Sequence, residues 1–173
     1  MPDSLSSVPP GALVVMGVCG TGKSTVGEQL AAALGWAYAD ADNFHPPENV
    51  EKMRAGTPLN DVDRGPWLDH LRELLTTHQR EQRGLVLACS ALKSDYRRRL
   101  QPATPVSFVF LHGTPALLAA RMGSREGHYM PASLLDSQLA TLEPPSPDEA
   151  IWCDVANSPA AIVAQVLSRL RPR

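Results

Sequence analysis

Short apolar runs alternate along this chain with longer segments whose apolar residues recur at helical spacing. Two of the runs, Leu85–Cys89 and Val106–Leu111, are almost continuously apolar, which is typical of strands covered on both faces. Further strands are predicted at Gly11–Met16, Trp36–Ala39 and Ile151–Val155. Because strands and helices alternate, the pattern predicts an α/β fold in which helices cover a parallel sheet.

The predicted helices follow from apolar stripes and from glycine and proline punctuation. The first, Ser24–Leu34, is closed by Gly35 as a C-terminal stop. The longest is predicted to begin at Pro66, a first-turn proline, because Trp67 and Leu71 start an apolar stripe just after it. The other predicted helices are Glu48–Ala55, Asp95–Leu100, Pro115–Met122, Pro131–Leu142 and Pro159–Leu170.

The length and composition indicate one compact domain. The chain has 173 residues, of which 43% are hydrophobic and 20% charged, enough for a core of its own. We expect this domain to span residues 11–173, since no repeat or long linker divides it. The Ser/Pro-rich residues 1–10 are predicted to form a disordered tail.

The charge balance excludes some classes of partner. Lys and Arg number 16 and Asp and Glu 18, so a formal net charge of -2 attracts neither nucleic acid nor an anionic membrane. No run approaches the roughly 18 apolar residues that a membrane span needs. Cys19, Cys89 and Cys153 fit neither a zinc site nor a disulfide framework, which favours a cytoplasmic location. We therefore expect a small-molecule partner.

A phosphate-binding loop is the strongest motif in the sequence. Residues 17–24 match G-x-x-x-x-G-K-S/T at every fixed position, between a predicted strand and a predicted helix. Inward-facing backbone N–H groups and the helix dipole suit the phosphates of ATP, with Lys23 at the β- and γ-phosphates and Ser24 on Mg²⁺. The expected nucleotide contacts are Gly17, Val18, Cys19, Gly20, Thr21, Gly22, Lys23, Ser24 and Thr25.

The loop does not identify the phosphate acceptor, but other motifs narrow the choice. The guanine-reading N-K-x-D of a GTPase is absent from the sequence. A motor ATPase would carry an acid at the end of an apolar strand, whereas the run Leu85–Cys89 is followed by Ser90. The sequence therefore favours a small kinase.

Two acids follow the second predicted strand. If strand geometry continues that far, Asp40 and Asp42 project to the same side, at the sheet edge that faces the ligand crevice. We assign Asp40 to the Mg²⁺ side and Asp42 to the acceptor hydroxyl, whose proton it would accept. The alternative is a pair of solvated acids in a loop.

The segment of residues 40–68 is dense in polar side chains of both signs. Hydroxyl groups of a substrate need donors and acceptors together, whereas a carboxylate or phosphate needs a cation. Such a mixture suits a polyhydroxylated anion. The candidate substrate contacts here and in the following basic helix are Asp42, His45, Lys52, Arg54, Asp61 and Arg97.

This segment also carries a family resemblance. Residues 45–68 read H-P-x-x-N-x-x-K-M-x-x-G-x-P-L-x-D-x-D-R-x-P-W-L, which resembles the gluconate kinase (gluconokinase) family of small P-loop kinases. Further matching blocks lie at 89–97, 125–130 and 137–144, so the resemblance covers most of the chain. The paired acids would also fit shikimate kinase, but the Gly-Gly-Gly of that family is missing after the third strand.

The resemblance implies phosphorylation of D-gluconate at its 6-hydroxyl by ATP, and a homodimer. It implies a P-loop NTPase fold of the nucleoside-monophosphate-kinase type, a three-layer sandwich with a five-stranded parallel core and a mobile lid at about 121–131. In the lid, Arg121 and Arg125 would approach the phosphates and His128 the substrate, although Arg121 alone also fits an exposed surface arginine. Asn157 would lie near the adenine.

Two other functions stay open at this point. The chain could phosphorylate shikimate or another sugar acid, or it could be a nucleotide-sensing module that binds ATP without transferring phosphate. A nucleic-acid role for the run Arg97–Arg99 is disfavoured, because such a run is more often a solvated helix face and no aromatic platform accompanies it.

Overall fold

The computed structural model describes residues 11–123 and 132–170, and it contains the parallel sheet that the apolar runs predict. Five strands lie in the order β2-β3-β1-β4-β5, and every pairing is parallel. Val14 of the central strand lies opposite Leu87 on one side and Phe108 on the other. The strands are β1 (Ala12–Met16), β2 (Ala37–Asp40), β3 (Leu85–Ala88), β4 (Ser107–His112) and β5 (Ala150–Asp154).

Seven helices lie in the described ranges, and most begin and end within a residue or two of their predicted bounds. They are α1 (Lys23–Leu34), α2 (Pro47–Arg54), α3 (Asp61–Arg80), α4 (Ser94–Leu100), α5 (Pro115–Gly123), α6 (Ala132–Thr141) and α7 (Pro159–Leu170). None of them combines the length and apolar character that a membrane crossing requires. Gly35 closes α1 in the left-handed conformation, as predicted.

The sheet separates two apolar cores, which makes the domain a three-layer sandwich. Alternate residues of each strand point to opposite faces, so Val14 packs with α3 and α4 whereas Leu13 and Val15 pack with α1 and α7. Both faces are therefore buried, which explains why the strands read as continuous apolar runs rather than alternating ones.

The start of α3 differs from the prediction. The helix begins at Asp61 rather than Pro66, so the proline stands inside it. The Asn60 side chain accepts the Asp63 N–H at 2.8 Å, and the Asp63 carboxylate accepts the Asn60 N–H at 3.0 Å. This reciprocal capping box satisfies two N–H groups at the helix start, and the burial of Trp67 and the leucines beyond it offsets the hydrogen bond that Pro66 cannot make.

The capping box predicts a stability change. Replacing Asn60 with Ala should lower the free energy of unfolding by about 1 kcal/mol, because the N–H of Asp63 loses its acceptor. Urea denaturation measures the change, and Asn60→Ser is the matched control because serine caps helices as well as asparagine does. Equal destabilisation of both variants would contradict the capping role.

Candidate active site

The phosphate loop joins β1 to α1 in a conformation that depends on glycines with positive φ, namely Gly17, Gly20 and Gly22. Gly17 has φ 151°, and a Cβ there would lie 2.7 Å from the carbonyl oxygen of Leu111. Gly22, at φ 84°, adopts the left-handed conformation just before α1 begins. The buried Thr21 hydroxyl donates to the Val18 carbonyl at 2.8 Å and closes the loop on itself.

Lys23 lies inside this loop. Its amine donates to the carbonyl oxygens of Gly17 at 2.9 Å and Val18 at 3.1 Å. Burial lowers the pKa of Lys23, and the negative charges of Asp42 and Asp40 partly oppose that shift. The positive amine is therefore surrounded by backbone dipoles and faces the two acids, where an anionic ligand would be held strongly.

Asp40 and Asp42 do come together, but not by the strand geometry that the sequence suggested. The strand β2 ends at Asp40, and a 3₁₀ turn spans Ala41–Phe44. The Asp40 carboxylate caps this turn by accepting the Asp42 N–H at 2.9 Å. The condition of that prediction, that strand geometry continues as far as Asp42, is not met, because the chain turns directly after Asp40 and the capping hydrogen bond holds the turn.

The turn leaves Asp42 in an electrostatic setting that suits a base. Burial raises the pKa of the Asp42 carboxyl, and the nearby charge of Asp40 raises it further. The charges of Lys23 and His45 oppose the shift. A carboxylate with a raised pKa accepts a proton more readily than an ordinary surface aspartate does.

Hard oxygen ligands lie at this edge of the sheet. Ser24 is the second residue of α1 and supplies a hydroxyl, and the charge of the Asp40 carboxylate acts on Lys23. Among the described residues, no group of three His, Cys, Asp or Glu side chains forms a metal-binding cage. Mg²⁺ bound to phosphates needs only one or two protein oxygens, so this donor set fits that ion rather than a metal held by protein alone.

Trp67 of α3 supports the residues that follow β2. The indole N–H of Trp67 donates to the Ala41 carbonyl at 2.8 Å, next to Asp42 in the chain. The His45 ring stacks on Trp67 with centroids 4.4 Å apart, and the Asn49 amide lies 3.2 Å from the His45 ring nitrogen. His45 and Asp42 are therefore held on a rigid support, as a binding site requires.

Three of the predicted substrate contacts are engaged in surface pairs. Lys52 bonds both oxygens of Asp63 at 2.9 Å. Arg54 is exposed and lies 3.9 Å from Glu51. Asp61 accepts from Lys93 at 3.2 Å and from the Tyr96 hydroxyl.

Arg97 has a structural role that the sequence did not indicate. Its side chain is only 2% exposed, and it donates to Glu149 at 3.0 Å and to the carbonyls of Ala91 at 2.8 Å and Glu143 at 2.9 Å. The expectation that Arg97 contacts the substrate, or lies on a solvated face, was wrong because its donors are used inside the protein. Arg98 and Arg99 are the exposed members of that run.

An open cleft of about 270 Å³ adjoins the phosphate loop, and Asp42 is not among the residues that line it. Arg121 reaches into its wall and also donates to the Val155 carbonyl. The cleft thus unites the loop with the two residues predicted for the nucleotide. Its lining is Gly20, Thr21, Gly22, Thr25, Val26, Arg121, Asn157, Pro159 and Ile162.

Two predicted site residues, Arg125 and His128, lie outside the described residues. The same holds for most of the predicted lid, whose described part is the end of α5.

Two further polar side chains at the site were missed by the sequence analysis. The backbone N–H of Cys19, in the phosphate loop, donates to the Gln138 side chain at 2.7 Å, which ties α6 to the loop. Arg64 lies half-buried on α3, and its guanidinium donates to the Tyr96 hydroxyl at 3.2 Å. Gln138 lies in the block of residues 137–144 and Arg64 in residues 45–68, both of which resemble the gluconate kinase family. This resemblance was the one sequence feature that could have indicated a role for them.

The chain is similar to known kinases over nearly its whole length. A family model described as shikimate kinase matches residues 19–171. The gluconokinase of Gluconobacter oxydans (strain 621H) is 52% identical over 143 residues, 82% of this chain and 80% of that protein. The probable gluconokinase of Xenopus tropicalis is 47% identical over 171 residues, 89% of this chain and 90% of that protein.

A solved structure shares the architecture as well as the sequence. The crystal structure of a gluconokinase from Sinorhizobium meliloti 1021 superposes with a TM-score of 0.83 at 47% identity, covering 93% of this chain and 91% of that one. Sequence and fold therefore agree on the same group of relatives.

The buried position of Arg97 predicts that its loss harms stability. Arg97→Ala should lower the free energy of unfolding by about 2 kcal/mol, because two carbonyls and Glu149 lose a charged donor. Arg98→Ala, the exposed neighbour, should change it by less than about 1 kcal/mol in the same urea titration. An Arg97 variant as stable as the wild type, with a defect only in acceptor KM, would restore the substrate-binding role.

Proposed function

The chain belongs to the gluconokinase family, and from this we infer that it catalyses the ATP-dependent phosphorylation of D-gluconate at the 6-hydroxyl, giving 6-phosphogluconate and ADP. The observation in this chain that best supports the inference is the proximity of a lysine, Lys23, and a carboxylate, Asp42. Their charges act on one another, with the lysine in the phosphate loop and the carboxylate in the acceptor segment.

The shikimate kinase model does not outweigh this inference. That model matches residues 19–171, whereas the relatives that are 47–52% identical over most of the chain are named gluconokinase or probable gluconokinase. The polar acceptor segment of residues 40–68 also argues against a sensor that binds ATP without transfer. Such a sensor has no need of a base held beside its phosphate loop.

On the donor side, we assign the triphosphate to the loop of residues 17–25. Inward N–H groups would bind the β-phosphate, and the Lys23 amine would exchange the Gly17 and Val18 carbonyls for phosphate oxygens. The phosphates supply the negative charge that favours protonated Lys23 in its buried setting. Arg121 and Asn157 are assigned to the nucleoside side because they line the adjoining cleft.

On the acceptor side, Asp42 is assigned as the general base. It takes the proton of the 6-hydroxyl as that oxygen bonds to the γ-phosphorus in line, while the bond to the β–γ bridging oxygen breaks and ADP leaves with the electron pair. The raised pKa of Asp42 favours this proton transfer. His45, held on Trp67, is assigned to a hydroxyl of the sugar chain, together with Lys52, Arg54, Asp61 and His128 as outer contacts.

Mg²⁺ is assigned to Ser24 and Asp40, whose oxygen donors fit the ion. When bound with ATP, the ion neutralises charge on the β- and γ-phosphates. Asp40 holds the turn of Asp42 with one carboxylate oxygen, and we assign the other to the ion or its water shell. The same residue therefore serves both the metal side and the position of the base.

Several broader features follow from the family and are proposed with it. The chain is expected to act as a cytoplasmic homodimer and as one kinase domain over residues 11–173, preceded by the tail. Residues 121–131 are proposed to close over the phosphates and to bring Arg125 to the transferring group, where a guanidinium offsets developing charge and closure excludes water.

The choice of acceptor tests the proposed activity directly. ADP release, followed by a coupled assay, should rise strongly above the ATP-only background with D-gluconate and little with shikimate or other sugar acids. Equal rates with all acceptors would exclude a gluconokinase. A background rate that no acceptor raises would favour the nucleotide sensor.

Substitution of Asp42 tests its assignment as the general base. Asp42→Asn should lower kcat by roughly 10²- to 10⁴-fold, because the amide cannot accept the hydroxyl proton, while the Kd for ATP changes little. Asp148→Asn, in an exposed turn far along the chain, is the control and should turn over normally. An Asp42→Asn enzyme with near-normal kcat would remove Asp42 from the mechanism.

A further inference from the structure

The acceptor of the proposed reaction carries a carboxylate, which needs a cation of the protein as its partner. Most cations near the acceptor segment are already paired with acids of the protein. Among the described residues these pairs are Lys52 with Asp63, Arg54 with Glu51, Lys93 with Asp61, Arg97 with Glu149, and Arg99 with Asp69.

Arg64 differs from all of these. Within the described ranges it forms no ion pair, and the hydrogen bond from its Nη1 to the Tyr96 hydroxyl uses one of its five N–H donors. The acids nearest to it along the helix, Asp61 and Asp63, are each bonded to a lysine. A half-buried guanidinium with unused donors is the group best able to take a carboxylate from outside.

Tyr96 fixes the orientation of Arg64. The Arg64 guanidinium carbon lies 5.6 Å from the centre of the Tyr96 ring, and the tyrosine hydroxyl in turn donates to Asp61. Stacking and a hydrogen bond together restrict the long side chain before any ligand arrives. Less conformational entropy is then lost when a carboxylate binds.

Arg64 also lies on the same side as the proposed base. It precedes Trp67 by three residues on α3, so the two side chains share a helix face. Trp67 carries the stacked His45 ring. Burial lowers the pKa of His45, and the positive charge of Arg64 adds to that shift. The charge of Asp42 opposes that shift, so His45 lies within electrostatic range of both Asp42 and Arg64. Trp67 also holds the Ala41 carbonyl, next to Asp42 in the chain, by its indole hydrogen bond.

We propose that Arg64, held by Tyr96, binds the carboxylate of the acceptor and thereby selects an acidic polyol over a neutral one. The acceptor then lies along the surface with its carboxylate at Arg64 and its far hydroxyl at Asp42. This orientation directs the terminal hydroxyl, rather than one next to the carboxylate, to the γ-phosphate. The assignment rests on the proposed gluconate kinase activity.

The test compares two acceptors that differ only at the carboxylate, D-gluconate and its neutral amide, D-gluconamide. Arg64→Ala should lower kcat/KM for gluconate by roughly 10- to 100-fold, the range expected when a charge-assisted hydrogen-bonding pair is lost. Its kcat/KM for gluconamide and its KM for ATP should stay at wild-type values. Arg64→Lys should fall between, because it keeps the charge but loses the planar fork.

Arg72→Ala is the matched control, an exposed arginine on the same helix, and it should leave both acceptors unchanged. Equal losses on gluconate and gluconamide in the Arg64 variants would overturn the proposal and assign Arg64 a purely structural role. Unchanged gluconate kinetics would overturn it too. If Arg64→Ala does not fold, the Arg64→Lys comparison carries the test. A wild-type enzyme without gluconate turnover would instead overturn the proposed function.

Discussion

The close approach of the phosphate loop to β4 is the constraint on which the rest of the site depends. Gly17 leaves β1 at φ 151°, with the Leu111 carbonyl oxygen 2.7 Å from where a Cβ would stand. This geometry lets the loop fold back over its own strand, so that α1 starts beside the sheet edge and Lys23 is enclosed by the loop carbonyls. A side chain at this position would displace the loop and with it every group that faces the phosphates.

Around that loop the strand order separates the two substrates. The acceptor residues follow β2 at one side, and the nucleotide cleft opens toward α5 and α7 at the other. Between them the turn after β3 is bonded to the loop, where Gly17 N–H donates to the Ser90 carbonyl at 3.3 Å. Buried Arg97 holds the same turn through Ala91, which has a left-handed φ of 46°. The two halves of the site are thus connected by a backbone hydrogen bond and by one buried side chain.

Local sequence patterns predicted the sheet and the loop because both depend on residues that are close together in the sequence. Continuous apolar runs and the spacing of Gly17, Gly22 and Lys23 need no distant contact to be read, and the structure confirms the resulting fold. The features that were misread depend on long-range or capping hydrogen bonds. Pro66 resembles a helix start until Asn60 and Asp63 cap the helix earlier. Nothing near Arg97 in sequence indicates that Glu143 and Glu149, some fifty residues away, would bury it.

In the proposed reaction, Asp42 binds the terminal hydroxyl of gluconate and directs it to the γ-phosphate. A crystal structure with D-gluconate and a non-hydrolysable ATP analogue tests it most directly. The 6-hydroxyl should lie within hydrogen-bonding distance of the Asp42 carboxylate and in line with the γ-phosphorus. A bound gluconate whose 6-hydroxyl points away from Asp42, or which occupies another face of the domain, would contradict it.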